Sequence, residues 1–225
     1  DFEMKLFFLK KNNIPKPDVI IVSSLSILTI VNGLFLKKKY SCKLFFEIRD
    51  IWPLTLIEEG GFSNNNLLII FLKFLEFIGY KYSDHIIGTM PNLKEHVRNV
   101  LGFSKEVSCI PIGFDRLEIS KAKKISKNIK ILIPENKFIV GYFGGIGISN
   151  ALDSFFDSIQ KLNKNNKTIH FIIAGDGDLR NKFNSKTKHL KNITFLPLIE
   201  KQYIHSLMSK CDLLYFSTHN SKIWK

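Results

Sequence analysis

The sequence predicts an α/β protein built as two parallel-sheet halves, and three observations carry that prediction. Strand-like and helix-like runs alternate along the chain, the rhythm of a parallel sheet with crossover helices. A basic polar stretch, Lys121–Lys130 (KAKKISKNIK), breaks the rhythm, as a solvated linker or an exposed helix does. The stretch Val140–Gly147 (VGYFGGIG), followed by SNALDSFFDSIQKL and HFIIAGDGDLR, reads as strand, glycine turn, amphipathic helix, strand and second glycine turn.

Taken in order, the first half offers strands at Asp18–Ser23, Lys43–Ile48, His85–Gly88 and Val107–Ile110. Helical patterns at Ile27–Lys38, Leu67–Tyr80 and Asn92–Leu101 lie between them. The second half offers strands at Phe138–Phe143, Ile169–Ala174, Ile193–Leu196 and Asp212–Phe216. Its first helix carries Leu152, Phe155, Phe156, Ile159 and Leu162 on one face. The expected division is a first domain over 1–118, a basic linker over 119–136 and a second domain over 137–225. A ligand site in such an architecture belongs at the carboxyl ends of the strands and in the cleft between the halves.

Composition narrows the function classes. With 225 residues, 45% of them hydrophobic, the chain can bury one large core or two modest ones. Three cysteines, Cys42, Cys109 and Cys211, are far apart and odd in number, which argues for a reducing compartment and for core filling, not a disulfide framework. The six histidines show no zinc-type spacing, so no metal site is expected. The net charge of +13 favours anionic partners. Lysines scattered among asparagines, without aromatic interleaving, match no nucleic-acid motif, and no nucleic-acid partner is expected. Asp1–Lys11 is charged and shows no secretory signal, and the expected location is cytoplasmic. The run Val19–Leu36 is interrupted by serines, Thr29, Asn32 and Gly33 and reads as strand, turn and helix. Leu67–Tyr80 repeats its apolar residues at helical spacing; it suits a helix packed on a sheet and also a peripheral membrane surface.

Two segments concentrate candidate chemistry. Glycines remove Cβ where a ligand touches main chain, and a helix starting near Asn150 would aim N–H groups at an anion. The two turns therefore suit the phosphates of a nucleotide, although any parallel α/β protein needs tight strand-to-helix turns. In Phe45–Pro53 (FFEIRDIWP), Glu47, Arg49 and Asp50 fall where a strand gives way to a loop that Trp52 and Pro53 could stiffen. The plainer reading is that Arg49 and Asp50 pair with each other or cap the next element. Glu58 and Glu59 are expected to face solvent or the mouth of the cleft. Asp176 and Asp178 form an Asp-x-Asp pair, but the flanking Gly175 and Gly177 and the preceding buried strand make Asp178 a helix N-cap and not a metal ligand.

FEIRDIWP, FLKFLEFIGYKYSDHIIGTMPNLKEHV, VSCIPIGFD, VGYFGGIGISNALDSFFDSIQKL and AGDGDLR follow one another in this chain. In that order they resemble the GT-B glycosyltransferases of family 4, of the WbuB-like kind that builds bacterial surface polysaccharides. The resemblance implies two Rossmann-like domains facing across a cleft, the first binding an acceptor and the second a nucleotide-sugar. It implies sugar transfer with retention, from a UDP-, GDP- or dTDP-sugar to a glycan or lipid-linked acceptor at the cytoplasmic face of a membrane. It also implies no metal or other cofactor. Carried over by residue, Gly144, Gly145 and Gly147 match the turn under the donor diphosphate, and Gly175, Asp176 and Gly177 the turn beside the nucleotide. Pro197–Leu198 matches the backbone that meets the base. Arg49 and Asp50 match the strand end near the reacting sugar, with Asp50 orienting or accepting the acceptor proton. Asp115 ends IPIGFD at the domain junction, where Ile112 replaces the family's usual Asn.

Two departures from the family follow. The Arg and Lys that clamp the diphosphate in many members are absent around Gly145 and Ile148–Asn150. The opening glycine loop and the closing acidic motif with two glutamates are also missing, so the expectation is a fragment truncated at both ends and inactive alone. The alternative is a non-catalytic remnant or binding module with the same fold.

Overall fold

The computed structural model describes residues 2–9, 15–165 and 167–220. Asp1 and residues 10–14, 166 and 221–225 lie outside them, and with them both ends of the chain on which the sequence reading commented. The chain divides into two compact units, one running to Gly113 and the other covering Phe114–His219.

The first unit contains α1 (Phe2–Phe8), β1 (Val19–Ser23), α2 (Thr29–Tyr40), β2 (Lys43–Ile48), α3 (Leu54–Glu58), α4 (Leu67–Tyr82), β3 (His85–Gly88), α5 (Leu93–Leu101) and β4 (Val107–Cys109). Its strands form one parallel sheet in the order β1-β2-β3-β4. Leu44, Phe46 and Ile48 alternate with Lys43, Phe45 and Glu47 along β2, and only the first set is buried. That set meets Ile30 of α2, Leu72 and Leu75 of α4, and Leu93 and Val97 of α5 in one core cluster. One face of this sheet is thus sealed by three helices, which explains the period-two pattern.

The second unit contains α6 (Arg116–Ser120), α7 (Lys127–Ile131), β5 (Phe138–Phe143), a 3₁₀ turn at Ile148–Asn150, α8 (Asp153–Asn165), β6 (Ile169–Ala174), α9 (Arg180–Thr187), β7 (Ile193–Phe195), α10 (Lys201–Met208) and β8 (Leu213–Leu214). Its parallel sheet runs β7-β6-β5-β8. Phe171 and Ile173 of β6 join Phe155, Phe156 and Ile159 of α8 in one cluster, while Ile172 and Ala174 join Leu207 of α10 in another. Both faces are covered, so β6 reads as a continuous apolar run. Phe156 stacks on Phe183 of α9 with centroids 4.0 Å apart.

The segment expected as a linker holds α7, and Ile125, Ile129 and Ile133 pack on the second unit's second cluster. Its isoleucines are spaced to put one apolar edge on the core while the lysines face water. The expected helix over Ile27–Lys38 begins and ends two residues later, where Ser41 takes a left-handed conformation (φ 52°) and its N–H bonds to Lys37 O. The expectation that the cysteines fill the core fails for Cys109, which is exposed at the end of β4. Cys211 is partly buried, and burial, then the neighbouring Asp212 charge, push its thiol up to about 11.

An aspartate just before a strand fastens each sheet. Asp84 accepts from Leu44 N–H at 2.7 Å and Asp212 from Ile139 N–H at 2.7 Å, while their own N–H groups return bonds to Leu44 O and Ile139 O. Burial raises the Asp84 pKa, but the Lys37 ammonium at 2.8 Å and the Leu44 N–H outweigh it and hold the carboxyl below its ordinary value.

Candidate functional site

Parallel pairing of β5 with β6 runs from Phe138–Ile169 to Phe143–Ala174, so both glycine turns leave the sheet side by side. Main-chain bonding continues past the strands: Gly144 N–H donates to Ala174 O (3.1 Å), Ile146 N–H to Asp176 O (2.8 Å) and Leu179 N–H to Ile146 O (3.0 Å). Gly175 and Gly177 have φ of 156° and 151°. A Cβ on Gly175 would lie 1.8 Å from Gly144 O, and one on Gly177 would lie 2.5 Å from Ile146 O. These two glycines are required by the close approach of two backbone segments, whatever binds nearby.

Gly145 and Gly147 differ. Neither has a positive φ, and a Cβ at either would meet only Asn150 Oδ1, at 3.2 and 3.8 Å respectively. Packing does not demand glycine there. Gly144 and Ile146 spend their N–H groups on Ala174 O and Asp176 O, whereas the N–H groups of Gly145 and Gly147 have no partner among the described residues. The turn is held from behind: Tyr142 Oη donates to Gly145 O (2.5 Å), Ser217 Oγ to Asn150 O (2.6 Å) and His219 Nε2 to Ile148 O (2.5 Å). Sequence reasoning missed these supports, and also Asn150, because each depends on a distant segment or on a side chain folding back.

Beside the turns opens a cavity of about 240 Å³ lined by Phe143, Gly144, Gly175, Leu198 and Ile204, among others. Its lining brings together Gly144, Gly175 and Leu198, while Gly145, Gly147, Asp176 and Gly177 lie outside it. Its walls are main chain, aliphatic side chains and the Phe143 ring, suited to a flat ring recognised through backbone groups.

Two sequence expectations are corrected here. α8 starts at Asp153, not near Asn150, because Ala151 adopts a left-handed conformation (φ 47°) and separates the 3₁₀ turn from the helix. The N-cap of α9 is Leu179, not Asp178, and no side chain caps it. Asp176 instead accepts from the adjacent Gly177 N–H at 2.9 Å. Among the described residues, no group of three histidine, cysteine or carboxylate side chains is arranged to hold a metal ion.

In the first unit, Arg49 is exposed and Asp50 half-buried just beyond β2. Ser24, buried at the end of β1, organises this loop: its Oγ accepts from Arg49 N–H (2.9 Å) and Asp50 N–H (3.3 Å) and donates to Asp50 O (3.2 Å). The backbone of the predicted pair is therefore anchored while both charged ends stay accessible. Among the described residues no ion pair joins Arg49 to Asp50. Glu58 is exposed and Glu59 partly buried.

Two parallel-sheet units, with glycine turns at the strand ends of the second, are the fold of the GT-B structures that comparison with known proteins finds. Residues 123–221 match the family described as Glycosyl transferases group 1. Among solved structures, the chain is similar to Anabaena Alr3699/HepE in complex with UDP, at 18% identity and a TM-score of 0.64, over 91% of this chain and 54% of that one. The same protein in complex with UDP-glucose matches at 18% identity and a TM-score of 0.62, over 89% and 53%. Sucrose-phosphate synthase from Thermosynechococcus elongatus matches at 12% identity and a TM-score of 0.66, over 90% and 52%. The lipopolysaccharide outer core galactosyltransferase WaaB matches at 14% identity and a TM-score of 0.53, over 96% and 53%. The chain thus spans about half the length of these structures. No curated protein matches it.

Proposed function

We propose that this chain is part of a retaining glycosyltransferase of family 4 that moves a sugar from a nucleoside-diphosphate sugar to a glycan or lipid-linked acceptor in surface-polysaccharide assembly. One observation carries the reading: Gly145 and Gly147 are glycines that packing does not need, each with an N–H that has no partner among the described residues, in the turn whose Gly144 lines a cavity of ring size. Two such donors suit a diphosphate, whose charge grows as the sugar departs. The UDP and UDP-glucose complexes of a similar fold support a nucleotide-sugar as donor. In this reading Gly144, Gly145 and Gly147 cradle the diphosphate, Gly175 and Leu198 border the base, and Asp176 and Gly177 shape the second turn. Asp50 orients the acceptor hydroxyl or accepts its proton, and Arg49 assists. No metal or other cofactor takes part.

Titration with UDP, GDP and dTDP tests the donor side. Weak binding with a preference for one base is expected, and Gly145→Ala, which keeps the N–H but sets a methyl group where the phosphate approaches it, should weaken it about tenfold, with an unchanged urea midpoint. Wild-type affinity in that variant would remove the turn from the site. Absence of both sugar transfer and donor hydrolysis with UDP-, GDP- and dTDP-sugars, in the whole enzyme of which this chain is read as a part, would count against the enzymatic part.

The acceptor side is read as working at the cytoplasmic face of a membrane. No described helix is long and apolar enough to cross a bilayer. On α4, however, Leu67, Ile70, Phe71 and Phe74 are exposed in a row, with Lys73 beside them and Lys81 at the helix end, the pattern of an interfacial helix. Co-sedimentation with anionic vesicles should fall sharply in Phe71→Ser/Phe74→Ser; equal binding would reject this face.

A further inference from the structure

Arg180 opens α9 just after the second glycine turn, and its guanidinium is committed to main chain. Nη1 donates to Gly175 O and Nη2 to Leu196 O, the latter at 2.7 Å. The guanidinium carbon lies 5.6 Å from the Phe195 ring centroid, and the Arg180 N–H bonds Gly177 O at 3.0 Å. Gly175 and Leu198 line the cavity from two different loops, those that follow β6 and β7. Main-chain bonding between these segments ends at Leu196 N–H to Ile173 O, 2.8 Å, among the described residues. Beyond that point Arg180 bridges them.

We propose that Arg180 is a positioning residue for the nucleobase: by holding the Gly175 and Leu196 carbonyls in one fork, it sets the width of the cavity that receives the base. The inference rests on the nucleotide reading above. It gives Arg180 a role different from the diphosphate-binding cation that its charge and place beside a glycine turn would suggest. A planar guanidinium can bond two carbonyls from separate loops at fixed spacing, whereas an ammonium on a flexible stem is a point charge and cannot reproduce that geometry. A wall held in place before the ligand arrives costs less to order on binding.

The test separates base from phosphate. Affinities for UDP and for uridine, with GDP and guanosine as a parallel pair, are measured by titration and ligand-observed NMR on the wild type, Arg180→Lys and Arg180→Met. Both variants should lose about tenfold or more, for the nucleoside as much as for the diphosphate, since the loosened wall faces the base. Lysine restoring diphosphate binding, or loss confined to the diphosphate, would make Arg180 a phosphate cation and overturn the proposal. Asn192→Ala controls for general destabilisation: this buried side chain donates to Ile159 O at 3.2 Å and does not line the cavity. It should lower stability and leave affinity intact; a matching loss of affinity would make the Arg180 effect global and refute positioning. Wild-type binding with unaltered Arg180 variants would overturn this inference alone. A wild type that binds none of the four ligands would overturn the nucleotide reading with it.

Discussion

Gly175→Ala is expected to destabilise the second unit by about 3 kcal/mol or more, combining backbone strain with an overpacked contact. The new methyl would lie 1.8 Å from Gly144 O on a residue whose φ is 156°. That carbonyl cannot retreat cheaply, because Gly144 N–H and Ile146 N–H already tie its turn to Ala174 O and Asp176 O. Gly145→Ala meets only the movable Asn150 amide at 3.2 Å and is expected to stay within about 0.5 kcal/mol of the wild type, as ordinary surface substitutions do. Urea unfolding followed by circular dichroism measures both. A Gly175→Ala protein as stable as the wild type would sink the distinction between glycines that serve the fold and glycines left open to a ligand.

Glu76→Ala should cost the first unit about 1–3 kcal/mol, the range for leaving a buried polar group without its partner. Glu76 sits on the inner face of α4 with its side chain 4% exposed, and its Oε1 lies 2.6 Å from His96 Nε2 of α5. Tyr80, one turn along α4, is fully buried; burial, then the charge and hydrogen bond of Glu76, push its phenol well above the ordinary value. Removing the carboxylate strands His96 and the Tyr80 hydroxyl together, because the three groups share one apolar pocket. Glu76→Gln keeps the volume and an acceptor oxygen and should cost clearly less. The same unfolding experiment decides, and equal losses for the two variants would show that packing, not the polar network, holds α4 to α5.

The strands most legible in the sequence were β2, β3, β5 and β6, whose residue ranges match the expected ones. β2 showed itself by alternation and β6 by an unbroken apolar run, two patterns that follow from one covered sheet face or two. Boundaries moved where hydrogen bonding decided them. Ser41 carried α2 past its expected end, Ala151 delayed α8 to Asp153, and Leu213–Leu214 is all that remains of the strand expected over Asp212–Phe216. Helix α3 was not anticipated, since five residues are too few to display a helical period.

For the candidate site, the sequence was enough to put glycine turns at the ends of two neighbouring strands and charged residues at the end of β2. Local composition and spacing carry that information, because turn chemistry and strand patterning are short-range properties. Which glycine answers to the fold and which is open was decided only in three dimensions. Gly175 and Gly177 face the carbonyls of Gly144 and Ile146, segments separated along the chain by the whole of α8. The same holds for Ser24 beneath Arg49 and Asp50, and for Arg180 between Gly175 and Leu196. Each is a polar side chain whose partner is the main chain of another segment, and that partnership exists only once the sheet has brought the loops together. The sequence alone thus determined two parallel-sheet units and the positions of the glycine turns in the second. The tertiary structure decided which main-chain donors of the turn are taken, because bonds to Ala174 O and Asp176 O consume the N–H groups of Gly144 and Ile146 and leave those of Gly145 and Gly147 without a partner among the described residues.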